Sequence, residues 1–360
     1  MRKLRSSRRI WLEKRVRRQK RLDKFLARCG NLRKKKDRDV VVAPNYFSLI
    51  QNGAGERNDA SEKFFDFLRK IRNFNGDHIC IDMTYVGRLV VNATLLFKAE
   101  IAHLSAKGVK ISGKLPRKER THQVLTQTGL TKLLNLPECT QVDREDTVHW
   151  RHASGVWNRA QPQKLAALLS PEQVAEDSTL YTGMIESVAN CIEHAYKEHP
   201  ARRVFEDGQD GWWGFQQYRD GMLSTCICDL GIGISGALPI SMANEPDLYR
   251  TFQALFRKHK GADIRSILAA VEYGRSSTGA TQRGKGLRDA HRVIDDAGEG
   301  RLHIFSNAGL YFYQRHKGRD KAEVGTKRLV GSIAGTIYFW CYPVQLLARA
   351  GASPAEGDVV

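Results

Sequence analysis

Three side chains that can bind a metal or activate water lie at four-residue intervals in the middle of the chain. Glu186, Asn190 and His194 occupy positions i, i+4 and i+8 of a segment, residues 178–197, whose apolar residues have helical spacing. We therefore expect them along one edge of a helix. An amide oxygen suits Mg²⁺, and a carboxylate can orient or deprotonate an attacking water. On its own, the same spacing is more typical of an exposed helix edge.

A second candidate follows a predicted strand, residues 223–229, which ends in Asp229. A buried carboxylate is costly unless it accepts hydrogen bonds, and the amino group of adenine is a suitable donor. Gly231 and Gly233 come next, and glycine lets a backbone approach a ligand closely. Taken alone, Asp-x-Gly-x-Gly is as often an ordinary turn.

A third candidate is a glycine-rich turn ahead of a predicted helix at residues 288–295. The turn contains Gly284, Lys285, Gly286 and Leu287. Backbone N–H groups at a glycine-rich helix N-terminus can bind phosphate, and Lys285 adds positive charge. The pattern matches neither a Walker A loop nor a dinucleotide-binding turn.

Four motifs in this order resemble the GHKL ATPase superfamily, which includes DNA gyrase, heat-shock chaperones and histidine kinases. They are Glu186-x-x-x-Asn190 with His194-Ala195, Asp229-x-Gly231-x-Gly233, Gly284-x-Gly286-Leu287 and Gly335-Thr336. The resemblance implies an α/β sandwich over residues 177–345, with ATP bound between a mixed sheet and its helices.

The resemblance also implies roles for individual residues. Asn190 is expected on Mg²⁺, Asp229 on the adenine amino group and Thr336 beside it. Glu186 is the expected catalytic carboxylate, at a place where an acid serves both hydrolases and kinases.

The other expected nucleotide contacts are His194, Gly231, Gly233, Gly284, Lys285, Gly286 and Leu287. A flexible lid is implied at residues 235–282, and the sequence places a helix at 248–258 within it. Such a lid would close over the phosphates and couple nucleotide binding to conformation.

Residues 41–145 alternate predicted helices and strands, which is typical of a small α/β domain. The predicted elements are a helix around 64–71, a strand at 78–83, a helix at 89–104, a short strand within 107–113 and a helix at 121–134 interrupted by Gly129. This order favours a parallel or mixed sheet with helices packed on it.

Within this domain, residues 77–136 resemble the STAS domain of anti-sigma-factor antagonists. That family carries a phosphorylated Ser or Thr just before its long helix. The corresponding stretch here, residues 87–93, has no hydroxyl side chain. We therefore expect a docking role for this domain rather than phosphoswitching.

The remaining segments are a linker and a tail. Residues 146–176 are predicted to be a linker with one short helix at 162–169. Trp150 and Trp157 favour packing of this linker on a domain. Residues 346–360 are predicted to be a flexible tail.

Positive charge is concentrated at the N-terminus. The whole chain carries a net charge of +19, of which residues 1–40 supply +14 from 18 Lys and Arg and 4 Asp and Glu. The apolar residues of this arm predict a basic helix with a thin apolar stripe. Through residues 2–38 the arm is expected to engage nucleic acid or an acidic protein. An anionic membrane surface, or packing of the stripe on the body of the protein, are the alternatives.

Composition indicates a globular protein, with 41% hydrophobic and 27% charged residues. No apolar run approaches a transmembrane span, and no apolar segment of a secretory signal follows the basic N-terminus. The seven cysteines lack regular spacing, so we expect buried thiols in a cytoplasmic protein.

Three functions fit these patterns. The favoured one is a slow Mg²⁺-dependent ATPase that acts as a regulatory or conformational switch. The others are a protein kinase of the histidine-kinase or anti-sigma type, and an adaptor that holds ATP without turnover. No helical hairpin with a phosphoacceptor histidine precedes the predicted ATP domain, which argues against a sensor histidine kinase. A homodimer is expected by analogy only.

Overall fold

A computed structural model describes residues 40–50, 59–144, 147, 149–159, 161–168, 178–242, 246–256, 261–276 and 285–344. The tail, Gly284 and all of the arm except Val40 lie outside this part of the chain. Among the described helices, none combines the length and the apolar character that a membrane span requires.

Helices and strands alternate through the described residues. The helices are α1 (Asp59–Arg72), α2 (Val91–Ala106), α3 (Glu119–Gln127), α4 (Leu130–Leu133), α5 (Pro162–Ala166), α6 (Ser178–Asn190), α7 (Gly233–Met242), α8 (Pro246–Phe256), α9 (Ala262–Ser276) and α10 (Lys285–Ala297). The strands are β1 (Val40–Val42), β2 (Tyr46–Phe47), β3 (His78–Asp82), β4 (Arg88–Leu89), β5 (Lys110–Lys114), β6 (Trp150–Val156), β7 (Asp210–Arg219), β8 (Met222–Asp229), β9 (Gly300–Ser306), β10 (Gly309–Arg315), β11 (Glu323–Arg328) and β12 (Thr336–Pro343). The chain is of the α+β class.

A small sheet lies in the N-terminal part. Its three strands are parallel, in the order β1-β3-β5, and β2 and β4 form a separate parallel pair. Helix α1 buries Phe64, Leu68 and Ile71 at helical spacing. Gly129, with φ of 70°, separates α3 from α4. The predicted parallel sheet and the predicted interruption at Gly129 are both confirmed.

A larger sheet has seven strands in the order β11-β10-β9-β12-β8-β7-β6, and each neighbouring pair is antiparallel. The expectation of a mixed sheet is therefore wrong for the strands described. Two-residue hairpins join β7 to β8 and β9 to β10, and such short connections can only make antiparallel neighbours. Asp220 and Gly221, between β7 and β8, have φ of 52° and 74°, as a type I′ turn requires.

The expected linker contributes a strand to this sheet. Residues 150–156 form β6, which pairs with β7 at the sheet edge. The Trp150 ring is buried and meets the Phe215 ring edge-on, with 5.7 Å between centroids. Arg151 and His152 are exposed, so β6 carries little of the apolar signal by which a strand is recognised. The predicted short helix is present as α5, Pro162–Ala166.

Both faces of the large sheet are covered. On β12, Ile337 and Phe339 pack into the core that includes α2 and the small sheet. Tyr338 and Trp340 point the other way, into the core beneath α6 and α10. Helix α2 is buried nearly all round because it lies between the two sheets. The segments predicted as two domains therefore share one hydrophobic core.

A buried ion cluster crosses this shared core. The carboxylate of Glu100 in α2, 2% exposed, contacts the guanidinium groups of Arg72 and Arg203 at 2.7 Å each. Burial opposes ionisation of Glu100, but the charges of Arg203 and Arg72 lower its pKa below the ordinary value. Arg72 also donates to the carbonyls of Ser332 and Ile333, at 2.6 and 2.7 Å. The cluster thus joins α1 and α2 to the segment just before β12.

Glu100→Gln should destabilise the fold by about 3–5 kcal/mol, because it leaves two buried guanidinium groups without their counter-charge. Urea unfolding measures this loss, and we expect one cooperative transition because the core is shared. Asp66→Asn is the matched control, since the Asp66–Arg69 pair is exposed and should change stability by about 0.5 kcal/mol or less. Equal losses in the two variants would show that the buried cluster does not stabilise the fold.

Candidate nucleotide-binding site

The helix that carries the first motif changes its winding in the middle of that motif. Glu186 and Asn190 lie on α6 and are half-buried. From Cys191 to Ala195 the chain continues as a π-helical turn, a feature that is frequent at functional sites. The prediction that His194 lies on the same edge as Glu186 and Asn190 assumed an α-helix through residue 194, but the α-helix ends at Asn190. The expectation that all three side chains share one edge therefore holds only for Glu186 and Asn190.

Asp229 is the point at which three of the four motifs meet. Its side chain is buried at the end of β8, with the residue 2% exposed. The Oδ1 atom accepts the backbone N–H of Gly231 at 2.8 Å and that of Thr336 at 3.1 Å. The thiol of Cys191, next to Asn190, donates to Oδ2 at 3.5 Å. The structure thus brings together the predicted residues Asn190, Asp229, Gly231 and Thr336.

The surroundings of Asp229 oppose its ionisation. Burial raises its pKa from 3.8 to about 6, against the opposing effect of the hydrogen bonds from Gly231, Cys191 and Thr336. Burial, together with the Asp229 charge, also raises the pKa of the Cys191 thiol well above its ordinary value. The thiol therefore stays protonated and serves as the donor to the carboxylate.

Two tyrosines hold the site in place and were not predicted. Tyr338 accepts a hydrogen bond from Asn190 Nδ2 at 3.5 Å, and it lies two residues after Thr336 on the same face of β12. Tyr196 donates to the carbonyl of Gly211 and accepts the N–H of Leu230 at 3.1 Å. Only the position of Tyr196, directly after the first motif, could have drawn attention to it in the sequence.

The glycines of these motifs allow close contacts within the protein. A Cβ at Gly231 would lie 2.3 Å from the carbonyl oxygen of Ala195, and one at Gly335 would lie 2.1 Å from that of Asp229. Gly233 has φ of 70°, and its Cβ would meet the Asn307 side chain at 2.5 Å. Close packing of the chain on itself therefore requires glycine at these three positions, and the expectation that Gly231 and Gly233 approach a ligand stays a prediction.

The helix that follows the second glycine-rich motif packs beside α6. A Cβ at Gly183 of α6 would lie 3.1 Å from Val293 of α10. Lys285 and Gly286 form the start of α10, and Leu287 is partly buried in the core beneath the helices. Helix α10 therefore lies next to the helix that carries Glu186.

Much of the expected lid is packed rather than flexible. The segment contains α8, which confirms the predicted helix, and also most of α7 and all of α9. Ile267 and Val271 of α9 are buried in the core. The Asp263 carboxylate accepts the Ser235 hydroxyl at 2.6 Å and the Ala308 N–H at 3.2 Å. The expectation of a flexible lid is thus wrong for α9, because its apolar face packs on the sheet.

A cavity of about 330 Å³ lies between α10 and β10. Its lining residues are Arg288, His291, Arg292, Asp295 and Tyr313. The Asp295 carboxylate in this lining accepts hydrogen bonds from Tyr313 and Arg315. Within the described residues, no group of three or more His, Cys, Asp or Glu side chains could hold a metal ion.

Comparisons with known proteins add no relative to this picture. No protein-family model, no curated protein and no solved structure matches the chain.

The raised pKa of Asp229 predicts a pH dependence of stability. The folded protein binds this proton more tightly than the unfolded chain, so Asp229 costs stability progressively as the pH rises from 3.8 to about 6. A pKa raised from 3.8 to about 6 corresponds to about 3 kcal/mol. Relative to Asp229→Asn, the unfolding free energy of the wild type should therefore fall by about that amount over this range.

Chemical denaturation at a series of pH values measures this difference. The exposed Asp207→Asn variant controls for the loss of one surface carboxylate. Parallel stability curves for the wild type and Asp229→Asn would contradict the assignment of a buried, destabilised carboxylate.

Proposed function

We propose that this chain is an ATP-binding protein of the GHKL type that acts as a slow Mg²⁺-dependent ATPase and a nucleotide-driven switch. The observation that carries the proposal is the meeting of three motif segments at Asp229. Backbone N–H groups of Gly231 and Thr336 hold one carboxylate oxygen, and the thiol of Cys191 contacts the other. These segments are far apart in sequence, and each contributes a group to the surroundings of one buried carboxylate.

The chemistry of this carboxylate fits an adenine amino group. Its Oδ2 atom receives a thiol hydrogen bond at 3.5 Å, and thiols are weak donors. An amino group would be a stronger donor to the same oxygen and would stabilise the ionised form. Ligand binding would therefore offset part of the burial effect that raises the pKa of Asp229 to about 6.

The first motif fits the metal and phosphate end of the ligand. The Nδ2 group of Asn190 donates a hydrogen bond to Tyr338. The amide oxygen Oδ1 would therefore bind Mg²⁺, a metal that prefers oxygen ligands. Bound Mg²⁺ supplies charge neutralisation at the phosphates. Glu186, one turn earlier on α6, would orient or deprotonate the attacking water. The backbone N–H groups at Lys285 and Gly286 would face the phosphates from the start of α10.

A chain of contacts supports a switch rather than an isolated ATPase. Arg72 of α1 binds the carbonyls of Ser332 and Ile333. Three residues later, Thr336 donates to Asp229. A nucleotide that changes the hydrogen bonds of Asp229 would therefore act on a segment that α1 also holds. This link connects the adenine end of the site to the small parallel sheet and, through it, to docking partners.

Three variants test nucleotide binding and hydrolysis by calorimetry and phosphate release. Asn190→Ala removes the amide oxygen proposed to bind Mg²⁺. It should therefore weaken Mg²⁺-dependent ATP binding about tenfold or more, a loss of about 1.4 kcal/mol or more. Glu186→Gln should bind ATP but release phosphate about 10²- to 10⁴-fold more slowly. Glu193 is an exposed acid seven residues after Glu186, and Glu193→Gln should bind ATP and release phosphate like the wild type.

The outcomes separate the three candidate functions. If the wild type fails to bind ATP with Mg²⁺, the proposed function is wrong. If it binds but releases no phosphate, the adaptor that holds ATP without turnover replaces the ATPase. Transfer of phosphate to a protein side chain would instead identify the kinase. Light scattering with and without nucleotide tests the predicted homodimer.

The basic arm at residues 2–38 is proposed to engage nucleic acid or an acidic protein. Deleting residues 1–38 should lower the slope of log affinity for DNA against log salt by several units, because each neutralised phosphate contributes about 0.9. Circular dichroism of the shortened chain controls for folding. An unchanged slope would rule out the arm as the source of polyanion binding.

A further inference from the structure

The small parallel sheet exposes apolar side chains at one edge. Its strands end in register, with Val42 of β1 and Lys114 of β5 both paired to Asp82 of β3. Beside these ends, Val42, Tyr85 and Leu115 are 57%, 59% and 40% exposed. They are three of the seven large hydrophobic residues exposed in the described part of the chain. Exposed apolar groups concentrated at one place mark interaction sites.

Two cation–ring pairs lie beside these strand ends, one of them in the neighbouring β2–β4 pair. The guanidinium of Arg117 lies over the Tyr85 ring, 4.7 Å from its centroid, and that of Arg88 lies over the Tyr46 ring at 5.0 Å. Tyr85 is 59% exposed, so part of its ring surface stays accessible beside Arg117. We call the set the carboxyl edge. It comprises Val42, Tyr46, Tyr85, Arg88, Leu115, Arg117 and Lys118.

Hydrogen bonds between the loops fix these side chains on a common platform. The N–H of Ala43 donates to the carbonyl of Asp82 at 2.9 Å, which ties the ends of β1 and β3 together. Across the other pair, the N–H of Arg117 donates to the carbonyl of Thr84 at 3.0 Å. The carboxyl edge is therefore preorganised, which lowers the entropic cost of binding.

The net charge of this edge is positive. The Asp82 carboxylate is neutralised by Lys114 at 2.7 Å, and Glu119 is paired with Arg144 at 3.5 Å. Arg88, Arg117 and Lys118 are the cations that remain. A Cβ at Gly87 would lie 2.9 Å from Lys118 Nζ, so this ammonium group sits beside the loop between Tyr85 and Arg88.

We propose that the carboxyl edge binds single-stranded nucleic acid. Bases stack on aromatic rings and on guanidinium planes, while phosphates pair with the adjacent cations. Duplex bases are already stacked on each other, so this chemistry selects a single strand. An acidic protein would use the cations but would gain little from an open tyrosine ring. Residues 1–40 carry a net +14, a charge that also favours a polyanion as the partner of this chain. The proposal does not depend on ATP binding.

Binding of a fluorescein-labelled oligouridylate to the full-length chain, followed by anisotropy, tests this proposal. Tyr85→Ala should weaken binding about 5- to 150-fold, the effect of losing one stacked base. Tyr85→Phe should retain wild-type affinity because stacking uses the ring and not the hydroxyl. Arg117→Gln should lower the salt slope by about 0.7, the contribution of one phosphate on a single strand. Tyr249→Ala, an equally apolar exposed tyrosine on α8, is the matched control and should bind like the wild type.

Three results would overturn the proposal. The first is wild-type affinity in Tyr85→Ala. The second is equal affinity for oligouridylate and for its duplex with oligoadenylate. The third is displacement of the oligonucleotide by polyglutamate equally well from the wild type and from Tyr85→Ala, which would identify an acidic protein as the partner. All three measurements are made without a nucleoside triphosphate, so their outcome is independent of the ATPase tests.

Discussion

Burial of both faces of the large sheet is the constraint on which the rest of this structure depends. The central strand β12 carries apolar side chains on both sides, with Phe339 in one core and Trp340 in the other. Such a strand cannot face water on either side. One cover is the layer that contains α6 and α10, and the other is α2 with the small sheet. The small α/β unit is thus a structural part of the unit built on the large sheet.

In this arrangement Asp229 contacts both the large sheet and the helical layer. Its hydrogen-bond partners come from the turn after β8 and from the start of β12, and Cys191 contributes from the helical layer. The segment before β12 is held by Arg72, which also pairs with the buried Glu100. The Asp229 carboxylate is therefore linked to α1 and α2 through the Thr336 N–H, the preceding backbone that Arg72 holds, and the Arg72–Glu100 pair.

Local patterns predicted many elements well and missed others for identifiable reasons. Helix α1 and strand β3 were predictable because their apolar residues follow one period. Strand β6 was assigned to a linker because its outward residues are polar. Strand β7 escaped prediction because its buried Gly211-Trp212-Trp213-Gly214 run does not alternate. Helix α9 falls within the predicted lid because that prediction comes from the family resemblance and not from the apolar pattern of the helix.

The residue types of the candidate site and the local elements that carry them can be read from the amino-acid sequence. It placed Asp229 at a strand end and Glu186 and Asn190 one turn apart on a helix, because both facts depend on periods of a few residues. Only the tertiary structure decided that Asp229 binds Thr336, 107 residues away, and that Gly231 and Gly335 are needed for packing within the chain. Such contacts leave no local pattern, because their partners are chosen by how the two sheets close over one shared core.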